Sequence, residues 1–71
     1  MKPFRVWGTD RSAGCFLLAE SEGAAMEVIA EMPWIYGDQP LTAEQDSVGG
    51  GLLWGFVVLH TGETMPIPGR S

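Results

Sequence analysis

Apolar residues recur along this chain with two different periods, and each change of period marks an element. From Phe4 to Trp7 aromatic and β-branched residues alternate across two faces, the period of a strand. Gly8 to Gly14 gathers turn formers between two glycines, and the apolar run Cys15-Phe16-Leu17-Leu18-Ala19 follows, so the first 20 residues predict a hairpin. Ser21 then stands where a helix cap belongs, its hydroxyl able to accept a free N–H of the next turn. Ala25, Val28, Ile29 and Met32 fall at i, i+3, i+4 and i+7, one face of a helix from Glu22 to Met32. Gly23 weakens its first turn by about 1 kcal/mol relative to alanine. Pro33 disfavours helical geometry at Met32 and ends the helix there.

A linker follows from Pro33 to Gly51, closing in Gly49-Gly50-Gly51. Within it, Leu41 to Gln45 reads as a turn of helix with Thr42 as its cap, and Trp34, Ile35 and Tyr36 are too apolar to stand in water unused. Leu52 to His60 is the strongest strand candidate, and Thr61-Gly62 turns it into a last strand, Glu63 to Ile67. Pro66 and Pro68 cannot donate to a ladder, which puts that strand at a sheet edge. The order ββαββ predicts a single α+β domain over residues 1–71. Its architecture is a small antiparallel sheet of about four strands with one main helix packed on one face.

Alternation within the strands gives the sheet two apolar faces. Phe4, Val6, Cys15 and Leu17 point one way, as do Leu53, Val57 and Leu59 along their own strand. Trp7, Phe16 and Leu18 point the other way, and so do Leu52, Trp54, Phe56 and Val58. One long helix covers one face. The aromatic face must therefore meet the Trp34–Tyr36 linker, a second subunit or a partner.

Composition narrows the classes. With 45% hydrophobic residues and three Trp in 71, the chain has a folded core rather than a disordered one. A domain of this size buries only about 60% of its unfolded surface, so that core is thin. The single cysteine, Cys15, excludes an intrachain disulfide framework and a multi-cysteine zinc site. The N-terminal stretch lacks the apolar run of a secretory signal, and no segment approaches the ~20 apolar residues of a membrane span. A cytoplasmic protein with a reduced Cys15 is the expectation.

Signatures of catalysis are thin. His60 is the only histidine, and no ligand pair stands at metal spacing, so neither a metal nor a cofactor is expected. Ser12 or Ser47 with His60 and Asp46 makes a triad on paper, but without a nucleophile elbow. His60 reads as the solvated end of a strand, and Cys15 as a small core residue. The triple glycine lacks the Lys-Ser/Thr of a phosphate loop and precedes a strand, not a helix. A non-enzymatic protein is the expectation.

Charge is the informative feature. The formal net charge is −5, and all four bases lie near the termini, at Lys2, Arg5, Arg11 and Arg70. Between Ser12 and Gly69 stand eight acids and no Lys or Arg, which disfavours direct nucleic-acid binding. Glu27 and Glu31 are a like-charge i, i+4 pair, and Glu31 sits where the helix dipole disfavours an anion. Folding does not explain that penalty. The bland reading of each carboxylate is a solvated surface that keeps a small protein soluble. The sharper one is an anionic surface that docks on a basic groove.

In layout the chain resembles the small acidic accessory proteins of bacteriophages and mobile elements, anti-CRISPR proteins among them. The likeness spans Met1 to Ile67 and rests on Phe4-Arg5-Val6-Trp7-Gly8, the passage from the second strand into Ala19-Glu20-Ser21-Glu22-Gly23-Ala24-Ala25, and the closing hairpin at Thr61-Gly62. That class shares no diagnostic motif, so no functional residue is carried over from it. The resemblance implies an inhibitor that occupies a protein of a bacterial CRISPR surveillance complex at its DNA-binding surface. On this reading Glu20, Glu22, Glu27 and Glu31 of the helix region and Asp38, Glu44 and Asp46 of the linker supply anionic contacts. Trp34 and Tyr36 are either aromatic anchors or cover for the second sheet face. The alternative is an assembly module, a homodimer closed through Trp7, Phe16, Trp54 and Phe56.

Overall fold

The computed structural model describes residues 1–46 and 51–69 and shows an α+β fold. Strands β1 (Lys2–Trp7) and β2 (Cys15–Ala19) form the expected hairpin, with Val6 opposite Cys15 and Phe4 opposite Leu17. The loop between them is a 3-10 turn, Arg11–Ala13, capped by Asp10, whose carboxylate accepts from the Ser12 backbone N–H.

Helix α1 spans Glu22–Ala30. Ser21 caps it as predicted, its Oγ accepting from Ala24 N at 3.1 Å. The helix stops two residues before the expected Met32, because Pro33 holds Met32 out of helical geometry at φ −119° and ψ 68°. Met32 is nevertheless fully buried, so the apolar stripe extends past the helix that carries it.

The linker differs most from expectation. Pro33–Tyr36 forms a short helix, α2, with proline at its first position. Thr42–Gln45 is a strand, β3, rather than a helical turn, and it pairs antiparallel with the outer edge of β1. So short a segment makes a poor isolated helix, whereas the unpaired ladder of β1 offers it a hydrogen bond for each group it turns inward. Ala43 goes to the core and Glu44 to the opposite face.

β4 is only Phe56–Val58, not Leu52–His60. Gly55, at φ 89°, breaks the extended backbone before it. Leu53, expected to share a face with Val57, is 63% exposed. The turn after β4 forms where predicted, with Gly62 at φ 90° and its N–H donating to Leu59 O at 2.9 Å. β5 is Thr64–Pro66, and the sheet order β3-β1-β2-β4-β5 puts it at an edge, as its prolines require. The sheet therefore has five strands rather than about four, in the order ββααβββ rather than ββαββ.

The core lies between the sheet and α1. Phe4, Val6, Cys15, Leu17, Ala19 and Val57 meet Ala25, Val28, Ile29 and Met32 there, all buried. No helix among the described residues is long and apolar enough to cross a membrane.

Candidate functional site

The two faces of the sheet carry different chemistry. Arg5, Trp7, Phe16, Leu18, Phe56 and Val58 are half-buried on the face away from α1. The sequence offers three covers for this face, and the Trp34–Tyr36 segment is not the one used. Ile35 and Tyr36 pack instead on the core that α1 closes.

Part of the cover is the protein's own arginine. The Arg5 guanidinium lies 5.7 Å from the Trp7 ring centre and 5.8 Å from that of Phe16, and Arg11 lies 5.0 Å from Trp7. Arg5 donates to Arg11 O at 2.6 Å, and Arg11 pairs with Glu44 at 3.1 Å. The Arg5 side chain crosses the bare Cα of Gly14, where an added Cβ would stand 2.7 Å from Nε. That Nε is buried with no hydrogen-bond partner among the described residues.

Tyr36 is tied inward. Its hydroxyl lies 2.6 Å from Ala13 O and 3.2 Å from Val6 O and donates to these carbonyls, linking α2 to both ends of the first hairpin loop. Burial, then the neighbouring Cys15, pushes its phenol above the ordinary range. Burial also raises the Cys15 thiol, against the opposing hydrogen bond to Tyr36. Cys15 is fully buried, as a core residue would be.

The acidic residues separate into groups. Glu20, Glu22, Glu27 and Glu31 are exposed along α1 and its two ends, and none pairs with a described cation. Asp38 is exposed after α2. Glu44 lies on the far sheet face, paired with Arg11. Asp46 extends β3, its backbone N–H donating to Pro3 O at 3.0 Å. The fold thus leaves four of the seven expected carboxylates exposed along α1 and its flanks and disperses the others.

Two tryptophans stand near the two ends of this acidic helix. Trp34 is 57% exposed on α2, just past the end of α1. Trp54 is 49% exposed and lines a hollow with Met1, Glu20 and Ala24 beside the start of α1. Trp54 therefore lies beside the start of α1 and outside the strand that carries Phe56. The signal that could have moved it is Gly55, which interrupts the strand between them.

A larger cleft, about 370 Å³, opens beside Trp34. Ile35, Leu59 and Met65 form its apolar wall, and Asp10, Gln39 and His60 stand among its polar residues. Asp10 Oδ1 accepts from Ser12 N at 3.0 Å and from Ser12 Oγ at 2.6 Å. These bonds, helped by His60, hold the carboxyl below its ordinary value. Gln39 Oε1 accepts from Thr9 N at 2.9 Å, fixing the cleft's rim to the hairpin loop. This cleft joins residues of the first hairpin loop, of α2 and the loop after it, and of the β4–β5 hairpin, which is why no local motif announced it.

His60 is exposed on the β4–β5 turn. Ser47, a member of the paper triad, and Gly49-Gly50 lie outside the described residues. Among the described residues no group of three or more His, Cys, Asp or Glu is placed to hold a metal ion. No protein-family model matches the chain, and no curated protein or solved structure matches it either.

Proposed function

We propose that this chain is a non-enzymatic inhibitor that docks its acidic helix side on a basic, nucleic-acid-binding surface of a host defence protein. A CRISPR surveillance complex subunit is the partner class that the resemblance suggests. The observation that carries the reading is the run Glu20, Glu22, Glu27 and Glu31, exposed along α1 and its flanks without a described basic partner. Such a surface is maintained against the helix's own preference, because Glu27 and Glu31 repel and Glu31 opposes the dipole. The exposed Trp34 and Trp54 at its two ends supply what charge alone does not, since tryptophan is the residue type most enriched at interface hot spots. Inhibition would follow by exclusion. The carboxylates occupy lysines and arginines that otherwise hold phosphates.

The test is capture from nuclease-treated bacterial lysate at low and high salt. A basic nucleic-acid-binding protein should be recovered at low salt, lost at high salt and competed off by added DNA. Charge reversal of Glu27 and Glu31 to Lys should weaken capture at least tenfold while leaving the fold intact. An unchanged affinity in that double variant removes the helix from the interface.

A second reading is favoured by the half-buried aromatic sheet face, on which no described helix packs. There Trp7, Phe16 and Phe56 would close a homodimer. Light scattering separates the two: a dimer insensitive to salt supports assembly, and a monomer with salt-sensitive capture supports the inhibitor.

A further inference from the structure

We propose that the cleft beside Trp34 receives an arginine side chain of the partner protein. This rests on the docking reading above and supplies it with a specific anchor. Trp34 leaves more than half its surface in water although it stands at the edge of an apolar wall that could have buried it. A tryptophan serving only the core would turn inward, as Tyr36 does on the same helix. The cleft's volume of about 370 Å³ lies in the range of small-ligand sites and exceeds what one side chain fills. It therefore admits the side chain together with part of the backbone that carries it.

Charge selects the occupant. Asp10 contributes a carboxylate, His60 is the one basic side chain in the lining, and no lysine or arginine lines the cleft. The described arginines are engaged elsewhere, Arg5 over Trp7 and Phe16, and Arg11 with Glu44. Both hydrogen bonds to the Asp10 carboxylate fall on Oδ1, which leaves Oδ2 for a ligand. A cationic donor gains the charge of Asp10 and the free Oδ2, whereas a neutral apolar group leaves Oδ2 unused.

Shape selects arginine over lysine. A planar guanidinium can stack on the Trp34 indole while donating to a carboxylate, and its three methylenes match the wall of Ile35, Leu59 and Met65. Lysine brings a compact, strongly hydrated charge that uses neither the ring face nor a fork of donors. Gln39 completes the site. Its oxygen is held by Thr9, so its amide nitrogen is left to donate to a carbonyl of the arriving peptide.

The experiment is an NMR titration of the labelled protein with N-acetyl-arginine amide, and separately with its lysine and citrulline counterparts. The Trp34 indole signal, assigned by its disappearance in Trp34→Phe, should move saturably together with the Ala13 and Gln39 amides. Arginine should bind at least fivefold tighter than lysine or citrulline. Asp10→Asn and Trp34→Ala should each weaken it at least fivefold, and both side chains are exposed enough for the fold to survive. Equal binding of citrulline, or shifts confined to the α1 glutamates with Trp34 unmoved, overturns the proposal. Lysate capture separates the two levels. Loss of capture on reversing Glu27 and Glu31, with capture retained in Asp10→Asn and Trp34→Ala, refutes the cleft and keeps the acidic interface. Loss in the cleft variants alone refutes the helix as the interface and keeps the cleft.

Discussion

On one face of the sheet Phe4, Val6, Cys15, Leu17 and Val57 are sealed beneath α1. On the other, their chain neighbours Arg5, Trp7, Phe16, Leu18, Phe56 and Val58 remain half-buried. Both faces are apolar by the same alternation, yet they are closed by different means. The first face is closed by a helix whose apolar stripe matches it, and no charge enters. The second is closed in part by laying two arginine side chains over its rings, which keeps a charged and wettable surface above an apolar floor. A 71-residue chain with one long helix can cover only one face that way, so the second face needs a solution that uses side chains alone.

If the two faces differ in this way, truncation should cost far more under the helix than beneath the arginines. Ile29→Ala should lose about 2–5 kcal/mol by transfer and cavity together, enough to unfold much of a domain with a thin core. Val58→Ala, half-buried on the other face, should lose about 1 kcal/mol. Urea denaturation of both variants reads the difference, and equal losses would show that the second face is as fully closed as the first.

An intermediate effect should come from the tyrosine that binds α2 to the hairpin loop. Tyr36→Phe removes the donor to Ala13 O and Val6 O and should cost about 1 kcal/mol at neutral pH. The pH dependence follows from Tyr36 and Cys15, whose folded values both lie above the ordinary 10.0 and 9.0. Stability from each group is complete below its unfolded value and declines as pH rises through the interval up to its folded value. Wild-type protein should therefore lose stability above about pH 9, and Tyr36→Phe should lose it less steeply. Thermal melts across that range measure both slopes, and parallel slopes would show that Tyr36 has no part in the alkaline loss.

The smallest effect is the most discriminating. Gly14 has φ −68° and ψ 151°, which alanine adopts readily, so replacing it should stabilise by about 0.4–1 kcal/mol through the unfolded state. An added Cβ would also push Arg5 off its two rings, destabilising by about 0.5–1 kcal/mol for each ring the guanidinium leaves. Gly14→Ala alone should thus be neutral to slightly destabilising. In an Arg5→Ala background it should become stabilising. The same sign in both backgrounds would show that Arg5 contributes no net energy where it lies.

Much of the fold was legible because its signals are local. Ser21 as a cap, the i, i+3, i+4, i+7 stripe and the Pro33 stop each act within a turn or two of chain, and the structure places them within two residues of expectation. The hairpin, the Gly62 turn and the edge position of the proline-bearing strand were readable for the same reason. The acidic surface was legible as composition, since an exposed charge needs no partner to be present. β3 was not legible, because Thr42 to Gln45 has no strand pattern of its own and becomes a strand only against the open edge of β1. The late start of β4 turned on one residue, Gly55, whose positive φ outweighs the apolar run around it, and its early end on the turn that Gly62 closes onto Leu59.

The sequence by itself therefore determined the α1 helix, the parity of the strands, the two apolar faces and the segregation of acids from bases. Each follows from periodicity, caps or counts that neighbouring residues decide among themselves. Only the tertiary structure decided that Arg5 and Arg11 lie over Trp7, that Tyr36 turns inward while Trp34 stays out, and that Asp10 and Trp34 share one cleft. Tyr36 reaches carbonyls 23 and 30 positions away. Even the arginines close in sequence to Trp7 are held over it by bonds to the hairpin loop and to β3, contacts that exist only once the local elements have come together.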